Sequence, residues 1–368
     1  MFFLKHRFLG LFFNFLCLFP LDKFKVCFVV DKDNSFDLSY KYIMDEFEVY
    51  GSGFRACFFV KDSFSLRGLF DLATSGYVFL DDNFFPLAFM NFRSEVKLVQ
   101  LWHAPGVFKR FGYSVLDDEG SKGLLRVIGS KISLLTVTSE NLSGFYSEAF
   151  QVPMERVKAF GFPRLDYYGL EGVSVDSVRE SFVVKYPQVA GKKIVLYAPT
   201  FRENSSLNNV FDFFDVERFN RELGDEYVLL VRLHPKISRF VEDDSVFGDV
   251  LSSDGVIDVS GYSSEQDLLL LCDVLVTDYS SVMVEGVFID KPVVFFAYDL
   301  DEYVESERGF YFDYMSMVPG PVVRDMDGLI SVLGDFCLDF GRFEDFVDFE
   351  FDVIDSCSSK RIVDFLLE

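Results

Sequence analysis

Cysteine and positive charge are both scarce in this sequence. The six cysteines are scattered, without a CxxC pair or a histidine at ligand spacing, so we expect no zinc site, no disulfide framework, no metal and no cofactor. The 35 lysines and arginines are outnumbered by 59 aspartates and glutamates, which leaves a formal net charge of −24. Such an acidic chain speaks against DNA or RNA as a partner, and any anionic ligand must be held by a few local groups.

The sequence also has no apolar run that is long enough for a clear membrane span. Lys5, His6 and Arg7 precede a run rich in phenylalanine and leucine, residues 8–19, which is about a dozen residues where a spanning helix needs roughly 20. This order of charged and apolar residues also fits a signal peptide, but no small-residue cleavage site follows it. We expect residues 1–22 to form an apolar helix that either packs on the body of the protein or lies in a membrane interface.

What the sequence does contain is a repeated alternation of short apolar runs and helix-like stretches. Runs such as KVCFVV, FRACFFV, KIVLYA and YVLLV are continuous, which is typical of strands buried on both faces of a parallel sheet. The alternation pauses in a polar stretch interrupted by glycine and proline, 169–193, and then restarts. We predict two doubly wound, Rossmann-type α/β domains, residues 23–185 and 186–368, that face a central cleft. Helices of the second domain are predicted at Val216 to Leu223, Glu265 to Cys272, Val282 to Ile289, and at the C-terminus.

Two of the three histidines lie at the ends of predicted strands. His103 in QLWHAPG and His234 in RLHPK stand just before a turn-forming proline, so both imidazoles should emerge at the level of the loops. A lone histidine in a strand is otherwise most often a core residue. Because histidine titrates near neutrality, it suits a general base for a hydroxyl group or a donor to phosphate. With one in each half of the chain, we predict that they face each other across the cleft.

A strand, turn and helix predicted in LCDVLVTDYSSVMVEGVF form a second polar centre. Serine hydroxyls and free amides at the start of a helix can bind an anion, although either serine could simply be a helix cap. Glu285, one turn into the helix, is predicted either to reach a ribose hydroxyl or to be solvated. The polar residues of the turn are Thr277, Asp278, Ser280 and Ser281.

Arginines near the same strand ends are candidate phosphate ligands, because a guanidinium group pairs with phosphate oxygens in a bidentate manner. Arg202 in YAPTFRE and Arg232 in RLHPK are the main candidates. Lys109, Arg164 and Arg308 are weaker ones. For each arginine alone, a surface salt bridge is the commoner role. A P-loop, a GxGxxG after the first strand, HExxH and GxSxG are all missing, which removes several enzyme classes.

Taken together, these motifs resemble the CDP-glycerol glycerophosphotransferase family of teichoic-acid synthesis, which includes primases and polymerases. The resemblance begins at about residue 25 and rests on QLWHAPGVFKRFG, TSEN, GFPRLD, VLYAPTFRE, RLHP and DVLVTDYSSVMVEGVF. It implies a GT-B-like fold, with His103 as the base and His234 as a phosphate-binding histidine. One departure is Ala104, where many members have glycine after the WH pair. The resemblance places in donor-binding motifs Arg202, Thr277, Ser280 and Ser281.

The reaction implied by this resemblance is transfer of glycerol phosphate from CDP-glycerol to a hydroxyl of a lipid-linked polyol-phosphate or saccharide acceptor, with release of CMP. It also implies a peripheral enzyme at the cytoplasmic face of the cell membrane, acting in the synthesis of teichoic acid or a capsular polymer. Three alternatives stay open: CDP-ribitol as the donor, a GT-B glycosyltransferase or UDP-sugar epimerase with another nucleotide donor, and a non-catalytic membrane-associated binding subunit. Assembly as a homo-oligomer is also left open.

Overall fold

The computed structural model forms two compact units. The first comprises Met1–Gly169 and Glu350–Glu368, and the second comprises Leu170–Phe349. The residues described are 2–31, 38–61, 65–202, 209–234, 250–251, 255–306, 309–335 and 340–368.

This division differs from the predicted boundary between residues 185 and 186. The helix Val175–Lys185 belongs to the second unit, where it packs against the helix Glu265–Leu271. The second unit therefore begins before this helix and not at the next strand. The last residues, Glu350–Glu368, return to the first unit, whereas the sequence placed them in the second domain.

The first unit contains a six-stranded sheet in which every neighbouring pair is parallel, and this confirms the predicted α/β class. The strand order is β2-β1-β3-β4-β5-β6. Its strands are β1 (Asp22–Val30), β2 (Arg55–Val60), β3 (Ser75–Leu80), β4 (Lys97–Gln100), β5 (Leu134–Thr136) and β6 (Val157–Lys158). Its helices are α1 (Phe2–Leu16), α2 (Leu38–Tyr50), α3 (Leu66–Thr74), α4 (Glu119–Lys131), α5 (Ser143–Phe150) and, from the end of the chain, α14 (Ser358–Leu367). Short 3-10 helices lie at Phe85–Phe89, Gly112–Val115, Glu140–Leu142, Met154–Arg156 and Pro163–Gly169.

Aromatic side chains fill much of the core of this unit. Phe28 of β1 is buried and packs against Tyr40 of α2, with the ring centroids 4.7 Å apart. Phe47, about two turns further along α2, packs against Phe79 of β3, with the ring centroids 6.2 Å apart. Because rings from helix and strand interlock in this way, the phenylalanine-rich composition is consistent with a close-packed sheet covered by helices.

Helix α1 packs on the first unit through one stripe. The buried positions recur every three or four residues, the spacing of one helix face, and they are His6, Gly10, Phe13 and Leu16. A side chain added at Gly10 would collide with the Phe89 carbonyl group, so the glycine permits close contact with the 3-10 helix Phe85–Phe89.

The opposite face of α1 is apolar and exposed. Phe8 is 75% exposed and Phe15 is 57% exposed. The apolar surface continues through Phe19, whose ring lies 5.4 Å from that of Phe70 in α3. The two interpretations of residues 1–22 are therefore compatible, because one face of the helix packs on the protein and the other is available for contact.

No helix in the part of the chain that the structure describes combines the length and the apolar character needed to cross a membrane.

The second unit contains another six-stranded parallel sheet, in the order β12-β11-β10-β7-β8-β9. Its first strand is central and the chain winds outward on both sides, as in a Rossmann fold. Its strands are β7 (Lys193–Ala198), β8 (Tyr227–Val231), β9 (Val256–Asp258), β10 (Val274–Thr277), β11 (Val293–Phe296) and β12 (Val322–Val323). Its helices are α6 (Val175–Lys185), α7 (Val216–Leu223), α8 (Glu265–Leu271), α9 (Val282–Phe288), α10 (Leu300–Ser306), α11 (Tyr314–Met317), α12 (Met326–Gly334) and α13 (Phe340–Glu350, ending in the first unit), with 3-10 helices at Pro187–Val189 and Val210–Asp212.

The predicted helices α7, α8 and α9 each begin at the expected residue. Two of these starts have side-chain caps: Asp215 accepts a hydrogen bond from the Arg218 amide at 2.9 Å, and Ser264 accepts one from the Asp267 amide at 3.0 Å. Strand β12 was not predicted, because two valines beside glycine and proline are too short a run to show a strand pattern.

Glu350, the first residue of the segment that returns to the first unit, is fully buried. Its Oε1 accepts a hydrogen bond from Thr138 Oγ1 at 3.0 Å. Burial raises the pKa of the Glu350 carboxyl group to about 8, although the Thr138 hydroxyl favours the ionised form. The carboxyl group is therefore mostly neutral at pH 7.

This raised pKa predicts that the protein loses stability as the pH rises. An unfolded glutamate ionises at about pH 4.3, so between that pH and about 8 the folded state keeps a proton that the unfolded state has lost. The free energy of unfolding then falls by at most about 1.4 kcal/mol per pH unit. Glu350→Gln keeps an acceptor for Thr138 and removes the ionisation. We expect thermal unfolding of this variant to resemble wild type near pH 5 and to occur at a higher temperature near pH 9; an equal shift at both pH values would contradict the assignment.

Candidate functional site

The predicted donor motifs of the second unit lie at the carboxyl ends of β7 and β10. These two strands are neighbours in the sheet, and the strand order reverses between them. In open α/β sheets, ligands bind beside the carboxyl ends of the strands at such a reversal point. The fold therefore brings YAPTFRE and TDYSS together at the position where a binding site is expected.

Arg202 lies at this position but is buried, with 1% of its side chain exposed. Its Nη1 pairs with Asp278 Oδ2 at 2.9 Å, and its Nε and Nη2 bind the two carboxylate oxygens of Asp299 at 2.7 and 3.0 Å. Tyr279 Oη donates to the same Asp299 carboxylate at 3.0 Å. We call these four residues, Arg202, Asp278, Asp299 and Tyr279, the Arg202 cluster.

The Arg202 cluster carries two carboxylates and one guanidinium group, a formal charge of −1. Burial alone would lower the pKa of Arg202, but Asp278 and Asp299 raise it above its usual value, so the guanidinium group stays charged. Its faces are also covered by tyrosine rings, including that of Tyr303 at 5.4 Å. The structure thus shows Arg202 buried and paired with two carboxylates, and its role as a phosphate clamp stays a prediction.

The role of the Arg202 cluster is to fix the loops after β7 and β10. The Asp278 carboxylate accepts hydrogen bonds from the Thr200 amide at 2.9 Å and from the Tyr279 amide at 2.6 Å. Thr277 is also buried, and its hydroxyl donates to the Ala198 carbonyl at 2.7 Å. Two of the predicted donor residues, Thr277 and Asp278, therefore hold the two strand ends together.

Glu285 lies on the inner face of α9. It is 3% exposed and accepts a hydrogen bond from Gln266 Nε2 at 3.1 Å. The prediction of a solvated residue is therefore wrong, and the contact with a ribose hydroxyl stays a prediction.

Ser280, Ser281 and His234 are predicted donor residues that reach the surface. Both serines are half-buried, and Ser280 Oγ accepts a hydrogen bond from the Val282 amide at 3.3 Å. His234, three residues after β8, is exposed, and its ring centroid is 5.9 Å from that of Phe201. The second unit therefore presents hydroxyl and imidazole groups on a scaffold held by buried charges.

The remaining predicted ligands have other surroundings. Arg232 Nε binds Glu265 at 3.2 Å and Nη1 donates to the Tyr262 carbonyl at 3.0 Å, so this arginine supports the loop after β9. Lys109 is half-buried in the loop that follows β4, and Arg164 is half-buried in the 3-10 helix Pro163–Gly169. Arg308 lies outside the described residues.

In the first unit, His103 is exposed beyond the carboxyl end of β4. Its Nδ1 lies 2.9 Å from the carbonyl oxygen of Asp81, which follows the neighbouring strand β3. A carbonyl oxygen can only accept, so Nδ1 carries the proton in this contact. The neutral imidazole then has its lone pair on Nε2, on the far side of the ring.

The backbone before His103 has an unusual conformation. Trp102 has φ = 64°, in the left-handed region that residues other than glycine adopt rarely. Its indole ring is buried and stacks on Phe111, with centroids 5.4 Å apart, while Phe150 packs against its edge at 5.0 Å. Tyr146 Oη lies 3.1 Å from the Ala104 carbonyl oxygen. The loop that carries His103 is therefore held by the core on both sides of the imidazole.

Charged residues surround the Asp81 anchor. Lys61, at the end of β2, lies 3.2 Å from Asp31, 3.3 Å from Asp81 and 3.8 Å from Asp82. Burial lowers the pKa of Lys61, but the three carboxylates outweigh that effect and raise it. The lysine thus links the carboxyl ends of β1, β2 and β3 beside His103.

Sequence reasoning missed several partners of these centres. Asp299 follows β11 in FFAYDL, and a polar residue at a strand end was the available signal. Gln100 and Asp81 could have been found in the same way, since both stand at the ends of strands that neighbour each other.

Solved structures of known proteins share the architecture of this chain. Two parallel α/β units of this kind define a GT-B-like fold, and a solved structure of a variant of the wall teichoic acid polymerase TagF superimposes with a TM-score of 0.81 at 25% identity, covering 99% of this chain and 93% of that one. The family model for CDP-glycerol:poly(glycerophosphate) glycerophosphotransferase matches residues 11–368. The chain belongs to this family, which confirms the resemblance found in the sequence.

Relatives within the family differ in the polyol that they are named for. The chain is 36% identical over 358 residues to the teichoic acid poly(ribitol-phosphate) polymerase of Bacillus spizizenii, covering 94% of this chain and 56% of the relative. It is 31% identical over 294 residues to the teichoic acid glycerol-phosphate primase of Bacillus subtilis, covering 78% and 73%. This chain thus spans little more than half the length of the first of these relatives.

A second kind of structural neighbour shares only the fold. The UDP-GlcNAc 2-epimerase of Neisseria meningitidis superimposes with a TM-score of 0.56 at 14% identity, covering 93% of this chain and 99% of the epimerase. The family match separates this chain from the epimerases, which the sequence had left open as an alternative.

Proposed function

We propose that this chain transfers a polyol phosphate from a CDP-polyol to a hydroxyl group of a lipid-linked acceptor and releases CMP, at the cytoplasmic face of the cell membrane. The observation that carries the proposal is the exposed imidazole of His103, anchored through Nδ1 to the Asp81 carbonyl oxygen. The anchor leaves Nε2 as an acceptor for a proton. Such a group is what an attacking hydroxyl requires near neutral pH.

In this proposal His103 is the general base. The acceptor hydroxyl loses its proton to Nε2 as its oxygen forms a bond to the phosphorus that carries the polyol. The bond between that phosphorus and the bridging oxygen breaks, and CMP leaves with the electron pair. The remaining requirement is to stabilise negative charge on the two phosphates.

We assign donor binding to the second unit. Ser280, Ser281 and His234 are surface groups of this unit with side chains that can donate hydrogen bonds to phosphate oxygens. The Arg202 cluster acts indirectly, because it fixes the strand ends that carry these residues. A few polar groups on a rigid frame are enough for a small anionic ligand, even in a protein with a formal net charge of −24.

The donor polyol is glycerol or ribitol. The sequence favoured glycerol only because nothing in it indicated the larger polyol, and relatives named for each polyol match the chain. A direct test is CMP release by the purified protein from CDP-glycerol and from CDP-ribitol, with a polyol-phosphate-primed lipid acceptor and UDP-sugars as controls. Acceptor-dependent CMP from one CDP-polyol identifies the donor. No CMP from either one, with a folded protein, overturns the proposed reaction.

We also propose that the exposed apolar face of α1 rests on the membrane that carries the acceptor. Phe8, Leu11 and Phe15 lie on this face, and Leu18 and Phe19, which follow the helix, extend the exposed apolar surface. Each buried aromatic side chain contributes roughly 1.5–3 kcal/mol. A chain with a formal charge of −24 gains little from anionic lipids, so apolar contact must supply the binding.

Replacing Phe8 and Phe15 by aspartate should therefore release the protein from vesicles. We expect the double variant Phe8→Asp/Phe15→Asp to lose at least about tenfold in binding, because two exposed rings no longer enter the interface. Co-sedimentation with phosphatidylglycerol and phosphatidylethanolamine vesicles measures the effect. Val184→Asp is a matched control, since Val184 is 87% exposed on α6. Equal vesicle binding by the double variant and wild type would contradict the proposal.

A further inference from the structure

A buried amide side chain connects the two segments that hold His103. Gln100, the last residue of β4, is 1% exposed. Its Oε1 accepts a hydrogen bond from the Trp102 amide at 3.1 Å, and its Nε2 donates to the Asp82 carbonyl oxygen at 3.3 Å. One hydrogen bond therefore reaches the segment after β4 that carries His103. The other reaches the segment after β3, in which the Asp81 carbonyl binds the imidazole.

The backbone of Trp102 requires restraint of this kind. A left-handed conformation at a residue other than glycine persists only where its surroundings enforce it. The packing of the indole ring fixes the Trp102 side chain, and the side-chain oxygen Oε1 of Gln100 fixes the Trp102 backbone amide. An apolar side chain of the same length would fill the space but leave the Trp102 amide and the Asp82 carbonyl without this partner.

We propose that Gln100 is a positioning residue for the His103 base, an inference that rests on the proposed function. By holding β4 and the segment after β3 at a fixed separation, its amide sets the distance between His103 Nδ1 and the Asp81 carbonyl oxygen. The hydrogen bond over that distance determines the tautomer of the His103 imidazole and the direction in which its Nε2 points. Gln100 itself touches neither donor nor acceptor in this role.

Kinetics of two substitutions test the proposal. Gln100→Met removes both hydrogen bonds at nearly constant volume, and we expect kcat to fall by about 10- to 100-fold while the KM for the donor changes by less than about twofold. Gln100→Glu keeps the acceptor for Trp102 and should give a smaller loss. Tyr40→Phe is the matched control, because it removes a buried hydrogen bond of 3.0 Å in the same unit that joins α2 to the Val29 carbonyl of β1, and not the segments that carry His103 and Asp81. Wild-type kcat in Gln100→Met, or an equal loss in Tyr40→Phe, overturns the proposal.

Fluorescence tests the same proposal without relying on turnover. Trp102 is the sole tryptophan, and its ring centroid lies 4.1 Å from that of His103. A protonated imidazole quenches a neighbouring indole, so the emission should titrate with His103, and the titration should vanish in His103→Ala. We expect Gln100→Met to shift both the emission maximum and this midpoint. An unchanged titration in Gln100→Met overturns the inference, whereas absent CMP release in wild type overturns only the proposed reaction.

Discussion

Replacing His103 by alanine is expected to lower the rate of CMP release by about 10²–10⁴-fold, the usual effect of removing a positioned general base. Donor affinity should stay nearly unchanged, because we assign donor binding to the second unit. The fold should also persist, since the imidazole is exposed and its polar contact is with a single backbone carbonyl group. The experiment therefore separates the chemical step from binding and stability.

The measurement is kcat and KM for CMP release, together with donor affinity by calorimetry. His234→Ala is the informative comparison, because we expect it to weaken the donor complex as well as turnover. Small imidazole added to His103→Ala should restore part of the rate if the missing function is proton transfer. Wild-type turnover in His103→Ala would refute the assignment of the base.

Most of the fold could be predicted because its strands are buried on both faces. Continuous runs such as KVCFVV and YVLLV indicate parallel strands, and the structure has parallel strands at both places. The return of Glu350–Glu368 to the first unit could not be predicted, because it depends on long-range contacts. Helix α14 packs on α2 and on the 3-10 helix Pro163–Gly169. There the two carboxylate oxygens of Asp166 accept hydrogen bonds from the backbone amides of Ser358 and Ser359.

The positions of the candidate site residues in the fold could be predicted from the sequence, whereas their buried partners could not. Strand ends and turn residues located His103, Ser280 and Arg202 correctly at the carboxyl edges of the sheets. Sequence reasoning weighed a phosphate ligand against a surface salt bridge for each arginine near a strand end, but it did not foresee a buried ion pair, because burial depends on the tertiary packing. The partner that neutralises Arg202, Asp299, is 97 residues away in the chain, and no local pattern connects the two.

The Arg202 cluster leads to the second large effect. Arg202→Ala is expected to destabilise the second unit by about 3–5 kcal/mol, because it leaves the carboxylates of Asp278 and Asp299 buried without their counter-ion. For a unit of this size the thermal unfolding midpoint should fall by about 6–20 °C. Donor binding should weaken with it, since Asp278 holds the amides of Thr200 and Tyr279 at the strand ends.

A direct phosphate clamp predicts a different pattern, in which donor affinity is lost while the unfolding midpoint without donor stays at the wild-type value. Calorimetric unfolding with and without CDP-polyol distinguishes the two. Arg324→Ala is the matched control, because Arg324 pairs with Asp301 at 2.8 Å on the exposed surface of the same unit, where such a pair contributes at most about 1 kcal/mol. Adding Asp299→Asn to Arg202→Ala should recover part of the lost stability, since it removes one of the two unpaired charges. Such recovery occurs only if Arg202 stabilises the unit by neutralising buried carboxylates. If the recovery is absent and the midpoint of Arg202→Ala equals that of wild type, Arg202 instead binds the donor phosphates directly.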